Sequence, residues 1–154
     1  MTAVITADRV HGSAVAFDVR GKTAALLILG KPGAGKSELA LELMALGAGL
    51  VADDQTLLQR DGDEIYLRAP STIRGLIEMR GVGLLKATAY EKAWLVAIVD
   101  LDQRETMRLP ERMSADVLGV RIPYLRNCVS RAFPAGLKQY VTSLALQDWQ
   151  DETT

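Results

Sequence analysis

Cysteine and histidine each occur once in this 154-residue chain, as Cys128 and His11. A lone cysteine excludes an internal disulfide, and one thiol with one imidazole offers no Cys/His metal cluster. Excess charge is also missing: the formal net charge is −1, which argues against broad binding to nucleic acid or to anionic membranes. No apolar run approaches the length of a membrane span. The N-terminal MTAVITADRV lacks a basic segment followed by an apolar core, so no secretory leader is expected, and a reducing cytoplasm is the expected location. Internal repeats and low-complexity stretches are absent.

What remains is ordinary for a globular protein, 49% hydrophobic and 24% charged. The length predicts one domain over 1–154, with loose ends at 1–9 and 149–154. One stretch organises it, Leu26 to Gly47, reading LLILGKPGAGKSELALELMALG. An apolar strand meets a loop of Gly30, Lys31, Pro32, Gly33, Ala34, Gly35, Lys36 and Ser37, and the loop opens a helix. That is G-x-x-x-x-G-K-S, a phosphate cradle. Its glycines let backbone N–H groups converge on an anion, and the helix N-terminus adds its positive dipole end. Lys36 is placed for the β- and γ-phosphates, and Ser37 for a bridging Mg2+. The loop therefore predicts binding of a nucleoside triphosphate.

Residues 10–20 alternate as a strand, and Arg20-Gly21-Lys22 turns it back into the strand before the loop. His11 stands just ahead of that strand, a surface position by default. The helix from Lys36 to about Leu46 is expected to bury Leu39, Leu43 and Leu46 and to stop at Gly47. Gly49 to Ala52 then form a short apolar strand ending in Asp53-Asp54. Carboxylates at such a strand end can hold a metal or take a proton from an attacking hydroxyl.

Thr56–Arg60 and Glu64–Arg68 read as a hairpin across Asp61-Gly62-Asp63, and Ser71 or Thr72 caps a predicted short helix reaching about Met79. In Glu78-Met79-Arg80-Gly81-Val82-Gly83 the glycines imply special backbone geometry or close approach to a ligand; a solvated helix end and turn is the plainer alternative. Trp94–Val99 is predicted as a central strand ending in Asp100, which competes with Asp53 and Asp54 as the metal-site carboxylate. Residues 102–111 read as an exposed loop. Val117–Pro123 reads as a strand ended by its proline, Cys128 as a buried structural thiol, and 135–147 as a helix closed by Trp149.

Taken together, His11-Gly12, GKSELALEL, VADD, EMRGVG and LGVRIP make this chain resemble the HPr kinase/phosphorylase family. That family phosphorylates a serine of the phosphocarrier HPr and can reverse the step by phosphorolysis. The resemblance implies an α/β fold, a phosphate-loop-containing mixed sheet with flanking helices, related to the nucleotide-binding fold of phosphoenolpyruvate carboxykinase. It implies ATP and Mg2+ as cofactors and an HPr-like phosphocarrier as partner, and it leaves open whether the chain forms a homo-oligomer. Residue by residue, Asp54 matches the carboxylate that accepts the serine proton, and Asp53 supports it. Glu78 matches a second metal contact, while His11 and Arg108 match the remaining active-site histidine and arginine. The pattern begins within a dozen residues of Met1, as in the short alphaproteobacterial-type forms without the family's N-terminal domain. The family's proline-glycine-arginine-asparagine loop, tied to dephosphorylation, is met only as Tyr124-Leu125-Arg126-Asn127, so phosphorolysis stays open. Two other classes stay open as well: a small-molecule kinase or NTPase relying on Asp100, and a nucleotide-binding sensor without phosphoryl transfer.

Overall fold

The computed structural model describes the backbone of residues 3–153 and the side chains of residues 3–147. β2 (Arg9–Val19) and β3 (Lys22–Leu29) form the first hairpin. Arg20 and Gly21 both take positive φ (54° and 84°), which the tight primed turn requires, and Asp18 Oδ1 accepts the Gly21 N–H at 2.8 Å. α1 (Lys36–Ala45) buries Leu39, Ala40 and Leu43 and ends ahead of Gly47, whose φ is 107°. Leu46, expected in the core, is instead exposed because the helix has already ended there. β4 (Gly49–Ala52) runs antiparallel to β2, and β5 (Gln55–Asp61) pairs with β6 (Glu64–Arg68) across Gly62-Asp63.

The predicted helix toward Met79 is not formed. Ser71–Ile73 make a single 3-10 turn, after which β7 (Leu76–Met79) and β8 (Gly83–Lys86) build a separate two-stranded hairpin. Gly75, Gly81 and Gly83 all have positive φ, so this segment cannot wind as a helix. β9 (Ala93–Arg104) is longer than its apolar run because its polar end still pairs with a neighbour. β10 (Met113–Val117) and β11 (Val120–Asn127) replace the single predicted strand, with Leu118-Gly119 turning between them and Pro123 inside β11 rather than at its end. β1 (Ala3–Ile5) lies in the stretch expected to be loose, yet pairs parallel with β10. Cys128 follows β11 and is half-exposed rather than buried. α2 spans Phe133–Thr153; Trp149 and its neighbouring side chains lie outside the described residues.

Among the described residues the main sheet has nine strands, and part of it closes on itself. One edge of β9 pairs with β3; the other pairs with β6 at Ala93–Trp94 and with β11 from Ile98 onward. The path β9–β3–β2–β5–β6–β9 is therefore a ring. Away from the helices it buries Ala14, Ala16, Ala25, Leu27, Leu58, Ile65, Leu67 and Leu95. On the other face Val15, Phe17, Leu26 and Ile28 pack under Leu39 and Leu43 of α1 and Leu137 and Val141 of α2. β2 and β3 are thus covered on both sides, which explains runs of buried residues without alternation.

Candidate active site

The phosphate loop leaves the C-terminal end of β3 and enters α1. Gly33 (φ 86°) and Gly35 (φ 100°) hold backbone conformations that a side chain resists, and Gly35 caps the helix with no side chain in the way of its free N–H groups. Lys36 is buried and donates from Nζ to the carbonyls of Gly30 and Lys31, so its ammonium lies beneath the loop. Asp102, at the far end of β9, accepts the Lys31 N–H at 2.9 Å and pins the start of the loop to the sheet.

Across from the loop, β4 delivers Asp53 and Asp54. Asp53 is buried. Its Oδ1 accepts from Ser37 Oγ at 2.7 Å and from Ser13 Oγ at 2.8 Å, and its Oδ2 accepts the Glu78 N–H at 3.2 Å. Asp54 has φ 66°, an uncommon left-handed conformation that short polar side chains tolerate. That kink turns its carboxylate out of the strand and into an open cleft of about 690 Å³. Residues 32–38 form one wall of this cleft, and Glu78 to Gly83 of the β7–β8 hairpin form another. The glycines of EMRGVG therefore serve a hairpin beside the loop rather than a helix end.

The structure brings together Gly33, Ala34, Gly35, Lys36, Ser37, Asp54 and Glu78 around one cleft, with Asp53 behind Ser37. His11 and Arg108 do not line it. His11 is exposed on β2 opposite Gln55, and Arg108 is exposed on the loop between β9 and β10. Asp100 is engaged elsewhere: Tyr124 Oη donates to its Oδ2 at 2.6 Å, and the Asp102 N–H donates to its Oδ1 at 2.9 Å. Burial and that hydrogen bond push the Tyr124 hydroxyl pKa up, so it stays a donor to Asp100. Asp53, not Asp100, is the carboxylate beside the loop serine. Ser13 went unrecognised from sequence. Its signal was a polar residue in an otherwise apolar strand buried on both faces.

The donors around Ser37 are a hydroxyl and carboxylates, the hard oxygen set that suits Mg2+ rather than a thiophilic metal. Among the described residues no group of three or more His, Cys, Asp or Glu is gathered as a full metal cage. A cation here would draw further ligands from nucleotide phosphates, as Mg2+ commonly does.

The family described as HPr Serine kinase C-terminal domain matches residues 3–130. The chain belongs to this family. It is 40% identical over 130 residues to the HPr kinase/phosphorylase of a Polaromonas species, and 41% identical over 130 residues to that of Cupriavidus metallidurans. These alignments cover 75% and 77% of this chain but 40% of each relative, so the chain spans about two-fifths of their length. The solved structure titled Hpr(Ser) kinase/phosphatase from Coxiella burnetii superposes with a TM-score of 0.75 at 19% identity, covering 96% of both chains. That likeness bears out the mixed sheet with flanking helices. Among the described residues no helix is long and apolar enough to cross a membrane.

Proposed function

We propose that this chain is an ATP- and Mg2+-dependent serine kinase whose acceptor is an HPr-like phosphocarrier. The observation that carries this reading is the pairing of Ser37 with buried Asp53 while the adjacent Asp54 faces the cleft. One carboxylate is committed to the nucleotide side and the next is free for the acceptor.

In this reading the loop N–H groups and Lys36 hold the β- and γ-phosphates. Ser37 and Asp53, with Glu78 across the cleft, would hold Mg2+. When bound, that ion neutralises charge on the transferring group. Asp54 takes the proton of the acceptor serine as its Oγ bonds to the γ-phosphorus and the bond to the ADP oxygen breaks. Positioning and charge neutralisation supply most of the acceleration in such transfers, which fits a site built from loop N–H groups, Lys36 and a few oxygen donors.

The test is transfer of label from radiolabelled ATP to the serine of HPr, with Asp54→Asn beside the parent. Label on HPr that is lost in the variant supports the kinase. Tight ATP binding without label on any HPr-like carrier overturns it in favour of a nucleotide sensor or a kinase for another acceptor. Incubating labelled phospho-HPr with inorganic phosphate reports the reverse reaction.

A further inference from the structure

Ser13 occupies an unusual place for a polar residue. It sits in β2 with no exposed surface, next to residues 14–17 of the apolar core. A hydroxyl can donate once and accept as well, and Ser13 does both toward consecutive residues of the bend between β4 and β5. It donates to Asp53 Oδ1 at 2.8 Å and accepts the Asp54 N–H at 3.2 Å.

Neighbouring contacts make the same seat. The Gly12 N–H donates to the Asp54 carbonyl at 2.9 Å, and Thr56 Oγ1 donates to the Gly12 carbonyl at 2.9 Å. A Cβ on Gly12 would stand 2.9 Å from the Ile28 carbonyl oxygen, so the backbone there is pressed against β3. Gly12 and Ser13 thus clamp Asp53-Asp54 from beneath. Deleting the Ser13 hydroxyl takes one of three hydrogen bonds from the buried Asp53 carboxylate and the acceptor from the Asp54 N–H.

We infer that Ser13 is a positioning residue: its single hydroxyl fixes the aim of the Asp53 carboxylate toward Ser37 and holds Asp54 in the left-handed kink that points it into the cleft. This rests on the kinase reading for Asp54, whereas the Asp53 half needs only nucleotide binding. Without the hydroxyl, Asp53 keeps Ser37 and the Glu78 N–H but loses one of its three hydrogen bonds, and the Asp54 N–H loses its acceptor. The consequence is misdirected carboxylates in a folded protein.

Three variants test it. Ser13→Ala removes the hydroxyl, Ser13→Cys keeps nearly the same volume with a poor donor, and Ser13→Thr keeps the hydroxyl. Two readouts are taken beside thermal melting: Mg2+ enhancement of fluorescent ATP-analogue binding, which needs no acceptor, and steady-state transfer to HPr. Ala and Cys are expected to lose most of the Mg2+ enhancement while binding in EDTA stays within about threefold, and to lower kcat about ten- to hundredfold with little change in the KM for ATP. Thr is expected to restore both. Ala and Cys variants with parental Mg2+ enhancement overturn the inference, as do variants whose only change is a lower melting temperature. If the parent never labels HPr, the kinase reading fails, and the Mg2+ readout still decides the role of Ser13 toward Asp53.

Discussion

Ser37 Oγ lies 2.7 Å from Asp53 Oδ1, joining the first turn of α1 to the end of β4. The two residues stand 16 positions apart, one on the helix and one at the end of the strand that follows it, so the contact exists only once the two elements have packed. Replacing the carboxylate by an amide keeps the size and loses the charge. Asp53→Asn is expected to weaken ATP binding about tenfold or more in Mg2+ and hardly at all in EDTA, as read by isothermal titration calorimetry. Equal weakening in both conditions would show that Asp53 shapes the loop instead.

Asp54→Asn is expected to lower phosphoryl transfer to HPr about a hundredfold or more with ATP affinity within about threefold of the parent. Asparagine is chosen because it tolerates φ 66°, so the change tests chemistry rather than backbone strain. Asp100→Asn is the contrast. Its two oxygens already serve Tyr124 and the Asp102 backbone, and turnover by that variant should persist. The opposite ranking in a label-transfer assay would move the metal site to the end of β9.

Gly49→Ala is expected to destabilise the fold by about 1–3 kcal/mol in urea unfolding. An added Cβ would stand 2.5 Å from the Tyr90 ring, at the start of β4. The double variant Gly49→Ala/Tyr90→Ala should recover part of the loss relative to Tyr90→Ala alone. Additive effects would place the strain elsewhere.

Tyr66 donates to Glu64 Oε2 at 2.6 Å, and its hydroxyl pKa is pushed up from 10.0 to about 12, first by that bond and then by burial. Between those values the unfolded chain has released the proton and the folded chain still holds it. Raising the pH therefore favours unfolding: the contribution is full below pH 10 and disappears as the pH rises through about 12. Tyr66→Phe should show a shallower alkaline loss of stability in denaturant melts across that window. An unchanged slope would mean the phenol ionises alike in both states.

Much of the site could be read from the chain because its chemistry is local. The phosphate loop needs consecutive glycines, a lysine and a serine, and Asp53-Asp54 follow an apolar tetrapeptide as a strand end. The stretch from Ser71 to about Met79 reads as a helix because Ser71 and Thr72 resemble caps, whereas the positive φ of Gly75 and Gly81 decides for a hairpin. Ser13 was hidden for a different reason. Strand β2 is covered on both faces, so periodicity gave no sign of which neighbour its hydroxyl meets. Arg108 and His11 were assigned by likeness, and their positions outside the cleft depend on loop and strand paths that no local pattern encodes.

The ring of strands has a kinetic consequence. Its hairpins, β2–β3 and β5–β6, join residues close in the chain and can form early, but β3 meets β9 only through a long closure. Lys31 and Asp102, which anchor the nucleotide loop to the sheet, stand 71 positions apart. Contacts of such separation cost loop entropy before they return any stability, and they slow folding. The chain is thus expected to acquire secondary structure before it can grip ATP: in refolding experiments, binding of a fluorescent nucleotide should lag behind circular dichroism, and coincident traces would contradict this order. A newly made chain would stay blind to ATP until its ring has shut.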